Sequence, residues 1–507
     1  TLTLVQEAEE HRTWSDNIYA RNILPSDALG FHYTQGANKE QSSFNTNDSH
    51  STGVSYLGRA FYSFNDTYMF TGTFRRDGYS GFGSNSKWGN FGSVGLGWIF
   101  TNEKFMESTQ EWFDMGKLRV SYGVNGNRDF GDVYKTLANL GLGGTSMVYY
   151  QNGSLVMNPL YMDRLAAPNL KWEKTTSYNV GLDFAFFGSR LTGSFDYYFK
   201  NTTDMIMAQR LPSFSGFGSI LANLGEVHNS GFELSLNSTN IQTKDFKWTT
   251  AAGISLNKNK IIHIYYDYDE NGVERDDSSN GWFIGKAANE IWYYETDGVW
   301  QNTPEDIKQA ALVGQKPGDP KVVNNYTEDD KILSDGTRVP VYNDKDKTFL
   351  GPQTPPIYWN MRNDFEWKDF TFAFSLYSYM GHKSLSGNWL NQDNGGSQVT
   401  NCFNMPDKKY WTPDNPTNDY CRLDAKGPNT GLAGGVSKLY NRSFLRLDNI
   451  SVGYTLPREM TRKFMVDRIH LTFSCNNVFT ISGWEYGDPE TGGFATRTFN
   501  FGVNVTL

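Results

Sequence analysis

The chain has 507 residues, which is more than a single soluble domain usually contains, and its formal net charge is −9, with the basic residues scattered along it. A nucleic-acid-binding protein would carry a basic stripe, so the charge pattern argues against a nucleic-acid partner. Aromatic residues make up 15% of the chain although its mean hydropathy is −0.56, a combination typical of membrane β-barrels with an apolar outer face and long polar loops.

Period-two alternation of apolar and polar residues recurs from about residue 54 to the end and predicts β-strands with one apolar face. In the last twelve residues, TRTFNFGVNVTL, the Phe, Val and Leu residues share one face. No run reaches the roughly 18 to 20 apolar residues of a spanning helix, so a membrane passage would be made by strands. In chain order we predict about 14 strands: a weaker one near 1–8, then 54–64, 68–78, 92–100, 117–125, 172–186, 190–200, 229–239, 247–258, 356–366, 370–381, 442–456, 468–478 and 495–507.

The links between these strands alternate in length. The short ones are Asn65–Thr67, Phe187–Ser189, Ile241–Phe246, Trp367–Asp369 and Pro457–Asp467, with one of middle length at Thr101–Gly116. The intervening links are longer, near 79–91, 126–171, 201–228, 259–355, 382–441 and 479–494. This alternation predicts an all-β fold, a transmembrane antiparallel up-and-down β-barrel with short periplasmic turns and long extracellular loops.

A soluble all-β protein, lectin-like or glycoside-hydrolase-like, is the alternative fold, because its strands also alternate. Such a protein would bury its Phe-rich faces against each other and would not need aromatic residues at strand ends. Here Phe64, Tyr68 and Trp367 stand at predicted strand ends, where a membrane interface places aromatic rings. The pattern therefore favours the barrel.

Several segments of the chain resemble the SusC/RagA-type family of TonB-dependent transporters of Bacteroidetes outer membranes. The long segment LGRAFYSFNDTYMFTGTFRRDGYSGFGSNSKWGNFGSVGLGWIFTNEKF resembles that family's strand, turn, strand and Asp-Gly loop. The segments GKLRVSYGVNGN, NSGFELSLNS, FLRLDNISVGYTLP and LTFSCNNVFTIS follow in family order and spacing. The matches cover nearly the whole chain from residue 56 onward.

The resemblance implies a barrel of about 22 strands, of which about 14 lie in this chain. Residues 1–507 are then the C-terminal portion of the barrel, and the N-terminal extension, the plug and the first strands are absent from it. One motif departs from the family, because the segment GDPKVVNNYTEDDKILSDGTRV replaces its Asp-Gly-rich loop. A cation site cannot be carried over to this loop.

The resemblance also implies a function and partners. The expected activity is TonB-dependent import of oligosaccharides or oligopeptides through the cell outer membrane. A SusD-like surface lipoprotein would close over the barrel as a lid, and the TonB complex would supply energy by pulling on the plug. A passive porin or a surface adhesin on the same barrel is the alternative, and an upstream plug would distinguish the two.

No motif in the sequence predicts catalysis, so we expect neither an enzyme nor a cofactor. The seven histidines are dispersed, without HExxH spacing or a paired Cys/His ligand set. No pair of carboxylates can be singled out as general acid and base.

One loop matches the first half of a calcium-binding loop at Asp267, Asp269, Asn271 and Gly272. Ser278 stands where that loop needs a bidentate glutamate, which favours a solvated acidic loop, and we predict no metal site.

The three cysteines, Cys402, Cys421 and Cys475, are too few for a disulfide framework. Cys402 and Cys421 flank one loop, and the sequence leaves open whether they pair or remain two free thiols.

The long loops carry clusters of aromatic residues. Flat rings stack on sugar faces and pack on peptide side chains, so these residues are candidate ligand contacts at an external cavity. The alternative is that they fold the loops into a compact cap or bind a neighbouring protein. The candidate residues are Trp282, Trp292, Tyr293, Tyr294, Trp300 and Trp411.

Overall fold

The computed structural model describes the chain apart from residues 24–36, 39, 129–130, 143–147, 153, 158–159, 388–391, 394–395, 398–408 and 507. Within the described part, fourteen strands form one antiparallel sheet, in which each strand pairs with the next of the set along the chain. They are β1 (Leu2–Tyr19), β2 (Ser43–Phe64), β3 (Tyr68–Tyr79), β4 (Trp88–Ile99), β5 (Phe113–Asn127), β6 (Glu173–Phe186), β7 (Leu191–Thr203), β8 (Glu226–Gln242), β9 (Phe246–His263), β10 (Ile357–Trp367), β11 (Phe370–Met380), β12 (Phe444–Thr455), β13 (Arg468–Ser482) and β14 (Thr498–Thr506).

All fourteen predicted strands are present, and the all-β antiparallel fold is confirmed. The largest error is at the first pair, where β1 runs to Tyr19 and β2 begins at Ser43, about ten residues beyond each predicted end. In this extension Glu10 lies opposite Thr52 and Thr13 lies opposite Ser49. Polar residues predominate on both faces there, and the few apolar ones, such as Trp14, Ile18 and Phe44, are too sparse to form an alternation that marks the strands in the sequence.

The alternation separates two faces of the sheet. In β14, Phe501 and Val503 are 71% and 54% exposed and alternate with Asn500 and Asn504. The register carries the division to the neighbouring strand, because Phe501 lies opposite Phe473. An exposed apolar face is what a barrel presents to lipid, and the polar face lines its interior.

The short links connect one set of strand ends. They are 65–67, 100–112, 187–190, 243–245, 368–369 and 456–467, and the first turns through Asn65 and Asp66 at φ of 51° and 50°. The strict alternation of lengths has one exception, because the link 100–112 is longer than the opposite link 80–87. The extra length of 100–112 and 456–467 lies in short helices, which are Phe100–Asn102, Lys104–Thr109, α2 (Arg458–Thr461) and Arg462–Phe464.

Aromatic rings cluster at the short-link end of the sheet. Trp367 stacks near Phe370 with centroids 6.2 Å apart, and Phe370 stacks on Tyr454 at 4.5 Å. Several of these rings are about half exposed, namely Phe64, Tyr68, Trp112, Phe187, Trp367 and Phe370. Aromatic rings at this level are typical of a membrane interface.

The long links carry small hairpins of their own. These pair Asn139–Leu142 with Leu160–Arg164, Val148–Gln151 with Ser154–Met157, Ile206–Arg210 with Ser219–Asn223, Glu290–Tyr294 with Lys347–Pro352, Thr296–Val299 with Pro320–Val322, Lys331–Ile332 with Arg338–Val339, Lys383–Ser386 with Lys438–Asn441, and Gln392–Asp393 with Gly396–Ser397. Short 3-10 helices occur at Ser213–Ser215 and Asp344–Asp346.

Residues 264–356 and 409–443, here called the loop body, pack around a buried core of their own. The core contains Tyr294, Val299, Val313, Val322, Tyr342, Trp411, Cys421, Ala425 and Val436. Helix α1 (Pro304–Leu312) belongs to this body. Its N-cap is Thr303, whose side chain accepts a hydrogen bond from the Asp306 backbone N–H, and Pro304 is its first residue. The two longest links are therefore one packed structure.

Among the described residues, no helix is long and apolar enough to cross a membrane.

Replacing Val503 with Arg in the full-length protein should destabilise the barrel by about 2–4 kcal/mol, because the charge would face lipid near the middle of a strand. Asn504→Arg is the matched control, since its side chain lies on the polar face and should be tolerated. The folded fraction in purified outer membranes, read from heat-modifiable gel mobility, measures both. Equal folded fractions for the two variants would contradict the assignment of the faces.

Candidate functional site

The inner face carries charged side chains that pair with each other across strands. Arg119 on β5 donates to Asp183 on β6 at 2.8 Å and to Asp196 on β7 at 2.9 Å. In the register, Gly181 stands between Arg119 and Asp196. A Cβ at position 181 would come within 2.4 Å of Asp196 Oδ1, so glycine leaves the room in which the ion pair crosses β6.

A second charged cluster lies nearer the long-link end of the inner face. Arg75 Nε donates to Asp77 at 2.6 Å, and its Nη2 reaches Ser55 at 3.0 Å and Glu7 at 3.3 Å. The side chains of Arg75, Asp77 and Ser55 line a cavity of about 560 Å³, which Trp172 also lines. Each cluster sets one arginine against two carboxylates, so the wall presents hydrogen-bonding groups with an excess of negative charge.

The link 483–497 is fastened to the inner face near its long-link end. Arg446 on β12 pairs with Asp488, and the side chains of the two residues are 8% and 3% exposed. Arg446 also pairs with Glu490 at 3.1 Å, and the hydroxyl of Tyr377 donates to the same carboxylate at 2.7 Å. Moving the link away from the wall would separate this buried pair and leave an uncompensated charge, which is unfavourable. The contact therefore holds the link against the wall.

The six aromatic candidates lie in different environments of the loop body. Tyr294, Trp300 and Trp411 are buried, and the indole N–H groups of Trp300 and Trp411 donate to Gln315 at 2.9 Å and Gln301 at 3.0 Å. These three side chains therefore pack inside the loop body, which agrees with the alternative that the aromatic residues fold the loops into a compact cap.

The other three candidates, Trp282, Trp292 and Tyr293, are partly exposed. Lys347 Nζ lies 4.5 Å from the ring centroid of Trp292, and the Tyr293 hydroxyl accepts from the Ser437 backbone N–H at 3.3 Å. Ligand contact by any of the six candidates stays a prediction.

A buried carboxylate joins the two segments of the loop body. Asp319, whose side chain is 2% exposed, accepts from Arg422 Nε at 2.7 Å and from the backbone N–H groups of Lys316 and Lys426 at 3.0 and 3.1 Å. Asp319 and Arg422 are separated by 103 positions, and no local pattern in the sequence points to their contact.

The calcium-like string folds as a hydrogen-bonded turn. The carboxylate of Asp269 accepts from the backbone N–H groups of Asn271 and Val273 at 2.9 and 2.8 Å, and Asp267 pairs with Arg275 at 3.6 Å. These contacts agree with the solvated acidic loop favoured by the sequence. Among the residues that the structure describes, no group of three or more His, Cys, Asp or Glu side chains is placed to hold a metal ion.

Glu274 fixes the base of this loop, a role that sequence reasoning missed. Its carboxylate accepts from the backbone N–H groups of Ile264, Tyr265 and Tyr266 at 2.8, 3.1 and 2.8 Å, and it lies 2.6 Å from His263 Nδ1. The side chain of Glu274 is only 6% exposed. Three successive donors on one carboxylate make the exit from β9 rigid.

Asp277 fixes the other side of the loop and is 9% exposed. Burial raises the pKa of Asp277, but hydrogen bonds from Ser279, Asn280 and Tyr265 outweigh it and lower the pKa to about 2. The pKa of this carboxylate is lower in the folded loop than in the unfolded chain. Its contribution to stability is therefore present above about pH 4 and is lost as the pH falls toward 2.

The family model for the β-barrel of TonB-dependent receptor-like proteins matches residues 4–478. This chain belongs to the TonB-dependent receptor family. TonB-dependent receptor P3 of Formosa agariphila is 31% identical over 449 residues, which cover 86% of this chain and 42% of that protein. TonB-dependent receptor SusC of Bacteroides thetaiotaomicron is 29% identical over 470 residues, which cover 89% and 42%. The chain spans somewhat under half the length of these TonB-dependent receptors.

Solved structures agree on the fold of this TonB-dependent receptor chain. The RagAB peptide transporter aligns with a TM-score of 0.75 and 24% identity over 99% of this chain and 53% of that one. The RagAB peptide importer in its open-open state aligns with a TM-score of 0.76 and 23% identity over 100% of this chain and 52% of that one. The SusC/RagA-type resemblance seen in the sequence is confirmed.

Membership of the family places the barrel in the outer membrane, as the sequence predicted. The matched relatives are receptors and transporters rather than enzymes, which agrees with the expectation of no catalysis. Cys402 lies outside the described residues, so its pairing with Cys421 stays open.

The Gly181→Ala variant of the full-length receptor should lose about 1–2 kcal/mol of stability, because the new methyl group displaces Asp196 from Arg119. Gly95→Ala is the control on the same face, where the nearest atom to a new Cβ is 3.9 Å away. Denaturant unfolding in detergent compares their midpoints. Equal midpoints would show that the ion pair needs no room at position 181.

The loop held by Asp277 should open in acid. We expect the hydrogen-exchange protection factor of the Trp282 amide, which donates to the Asp277 carbonyl at 2.9 Å, to hold from pH 7 to 5 and to fall toward pH 2.5. Full protonation of Asp277 should lower the free energy of opening this loop by about 2 kcal/mol. Asp277→Asn should lower the protection at pH 7, whereas Glu270→Gln in the same loop should leave it unchanged. Full protection in Asp277→Asn would disprove the role of this carboxylate.

Proposed function

We propose that the full-length protein imports large nutrients across the outer membrane with energy from the TonB complex, and that residues 1–507 are the C-terminal portion of its barrel. The observation that carries the proposal is the match of the TonB-dependent receptor barrel model to residues 4–478. In this proposal the N-terminal extension, the plug and the first strands of the barrel belong to upstream sequence.

The wall described here suits such a role. A solute that crosses a membrane barrel must exchange its contacts with water for contacts with the wall, so the wall has to offer polar groups. The side chains of Arg119 and its partners Asp183 and Asp196 provide such groups. An outer membrane has no nucleotide energy source, so the work of opening would come from the inner membrane through the plug.

The cargo in this proposal is an oligosaccharide or an oligopeptide, and a SusD-like surface lipoprotein acts as the lid. RagAB is described as a peptide transporter, which supports an oligopeptide, whereas SusC is named a TonB-dependent receptor without a cargo. The loop body is a packed surface at the long-link end of the barrel, and we propose it as the seat of the lipoprotein. The alternative function is a passive porin or a surface adhesin on the same barrel.

An uptake experiment separates import from passive flow. Cells that produce the full-length protein should take up fluorescently labelled oligopeptides or oligosaccharides, and a protonophore or deletion of tonB should abolish the uptake. A passive porin would keep its uptake under both treatments and would conduct ions in planar bilayers. An adhesin would show no uptake in either condition. Either result would overturn the import proposal.

Two variants of the loop body extend this test to the lipoprotein. Asp319→Asn should separate the two segments of the body and should reduce both uptake and copurification of a surface lipoprotein, because Arg422 would lose its buried counter-charge and keep only the exposed Asp424 of its own segment. Asp414→Asn, an exposed position of the same body, is the control and should change neither. Unchanged copurification in Asp319→Asn would remove the loop body as the seat.

A further inference from the structure

An apolar cavity of about 270 Å³, here called the rim cavity, lies at the long-link ends of β8 and β9. The strand Ile206–Arg210 of a small hairpin closes one side of it, and the segment after β9 closes another. Its principal lining residues are Met205, Met207, Val227, Ile261, Ile264 and Trp282. Among its described lining residues, His263 is the polar exception, and the ring of His263 is already paired with Glu274 at 2.6 Å.

The rim cavity interrupts the polar inner face. Along β8 and β9 that face presents the pair Asn229 and Asn259, whereas the next pair toward the rim is Val227 and Ile261. These two side chains lie on the inner side by register, so lipid does not explain their apolar character. Ile261 is 5% exposed, which shows that the apolar step is covered rather than open to water.

The walls of the rim cavity are held in place. Trp282 exchanges two backbone hydrogen bonds of 2.9 Å with Asp277, and its ring lies 6.5 Å from that of Tyr265. Gly225 adopts φ of +78°, and a Cβ there would lie 2.6 Å from Met207 Sδ. Glycine at this position therefore lets the methionine seat against the cavity. A cavity with fixed walls is prepared for a ligand without a large ordering cost.

A polar cavity of about 490 Å³ is lined by the residues that directly follow those of the rim cavity in two segments. It shares the strand Ile206–Arg210 and the segment after β9, and Gln209, Tyr266 and Asp267 line it. Arg210 also lines it and donates to Ser279 at 2.7 Å. The two cavities together fit a ligand with one apolar group attached to a chain of polar, hydrogen-bonding groups.

We propose that the rim cavity binds an apolar side chain of a peptide while the polar cavity receives the peptide's main chain. A sugar ring would bury hydroxyl groups against Ile, Val and Met without partners, which is unfavourable. A long acyl chain would leave the polar cavity unused. This inference rests on the proposed import function and narrows its cargo at this site to peptides that carry an aliphatic or aromatic residue.

The test uses the full-length protein in lipid nanodiscs, with any lipoprotein that copurifies, and ligand-observed NMR titration. The pentapeptide Gly-Gly-Leu-Gly-Gly should bind about tenfold or more tightly than Gly-Gly-Ser-Gly-Gly, with saturation transfer to the leucine methyl groups. Val227→Asn should remove this preference by making the cavity polar. Ala288→Leu should also remove the preference for the leucine peptide, because the larger side chain fills the cavity. Ala288 is exposed, so this change should not disturb folding. Ile332→Asn, a matched change at a 68% exposed position of the loop body, should keep it.

Equal binding of the two peptides, or an unchanged preference in both cavity variants, would overturn the proposal. Maltoheptaose or octanoic acid that binds as tightly as the leucine peptide, and loses binding in the same variants, would also overturn it by assigning the cavity to a sugar or an acyl chain. The uptake assay separates the two proposals. Uptake that depends on tonB without a leucine preference leaves the import function standing and removes the peptide site.

Discussion

A strand that crosses lipid has no water to satisfy its backbone N–H and C=O groups, and every one of them must find a partner in a neighbouring strand. This constraint sets the fourteen-stranded antiparallel ladder, in which each strand pairs with its successor. It also divides the side chains, because a strand with one face in lipid must alternate. Phe501 and Val503 therefore face outward while Asn500 and Asn504 face inward. The polar wall follows from the same ladder.

The constraint explains why the strands could be predicted and where the prediction ended. All fourteen strands could be predicted from the sequence, because a strand with one face in lipid needs an apolar residue at every second position. In the outer parts of β1 and β2, polar residues predominate on both faces and the apolar ones are too sparse to alternate, so those strands were predicted about ten residues short. Link lengths were a weaker guide, because short helices in 100–112 make that periplasmic link longer than the opposite link 80–87.

The candidate site was less predictable because its contacts are distant in sequence. An aromatic run reads the same whether its rings meet a ligand or form a core, and the burial of Trp300 and Trp411 depends on a second loop more than 100 residues away. The pairing of Asp319 with Arg422 has the same origin. One signal was available, since the change from Asn229 to Val227 breaks the polar alternation of β8 at its end. That Val227 lines a cavity could be recognised only once the structure placed Ile261 and Trp282 beside it.

The loop body and the inner wall differ in how deeply their charged side chains are buried. The Arg119 side chain remains 32% exposed beside its two partners, so water can reach it. Asp319 is 2% exposed, and the desolvation of such a pair offsets most of its attraction. Its effect is therefore orientation rather than net stability, because the buried charge of Asp319 is compensated only when Arg422 of the other loop segment lies beside it. Under the proposed import function, a wall along which a solute passes needs accessible charges, whereas loops that seat a partner need a single arrangement.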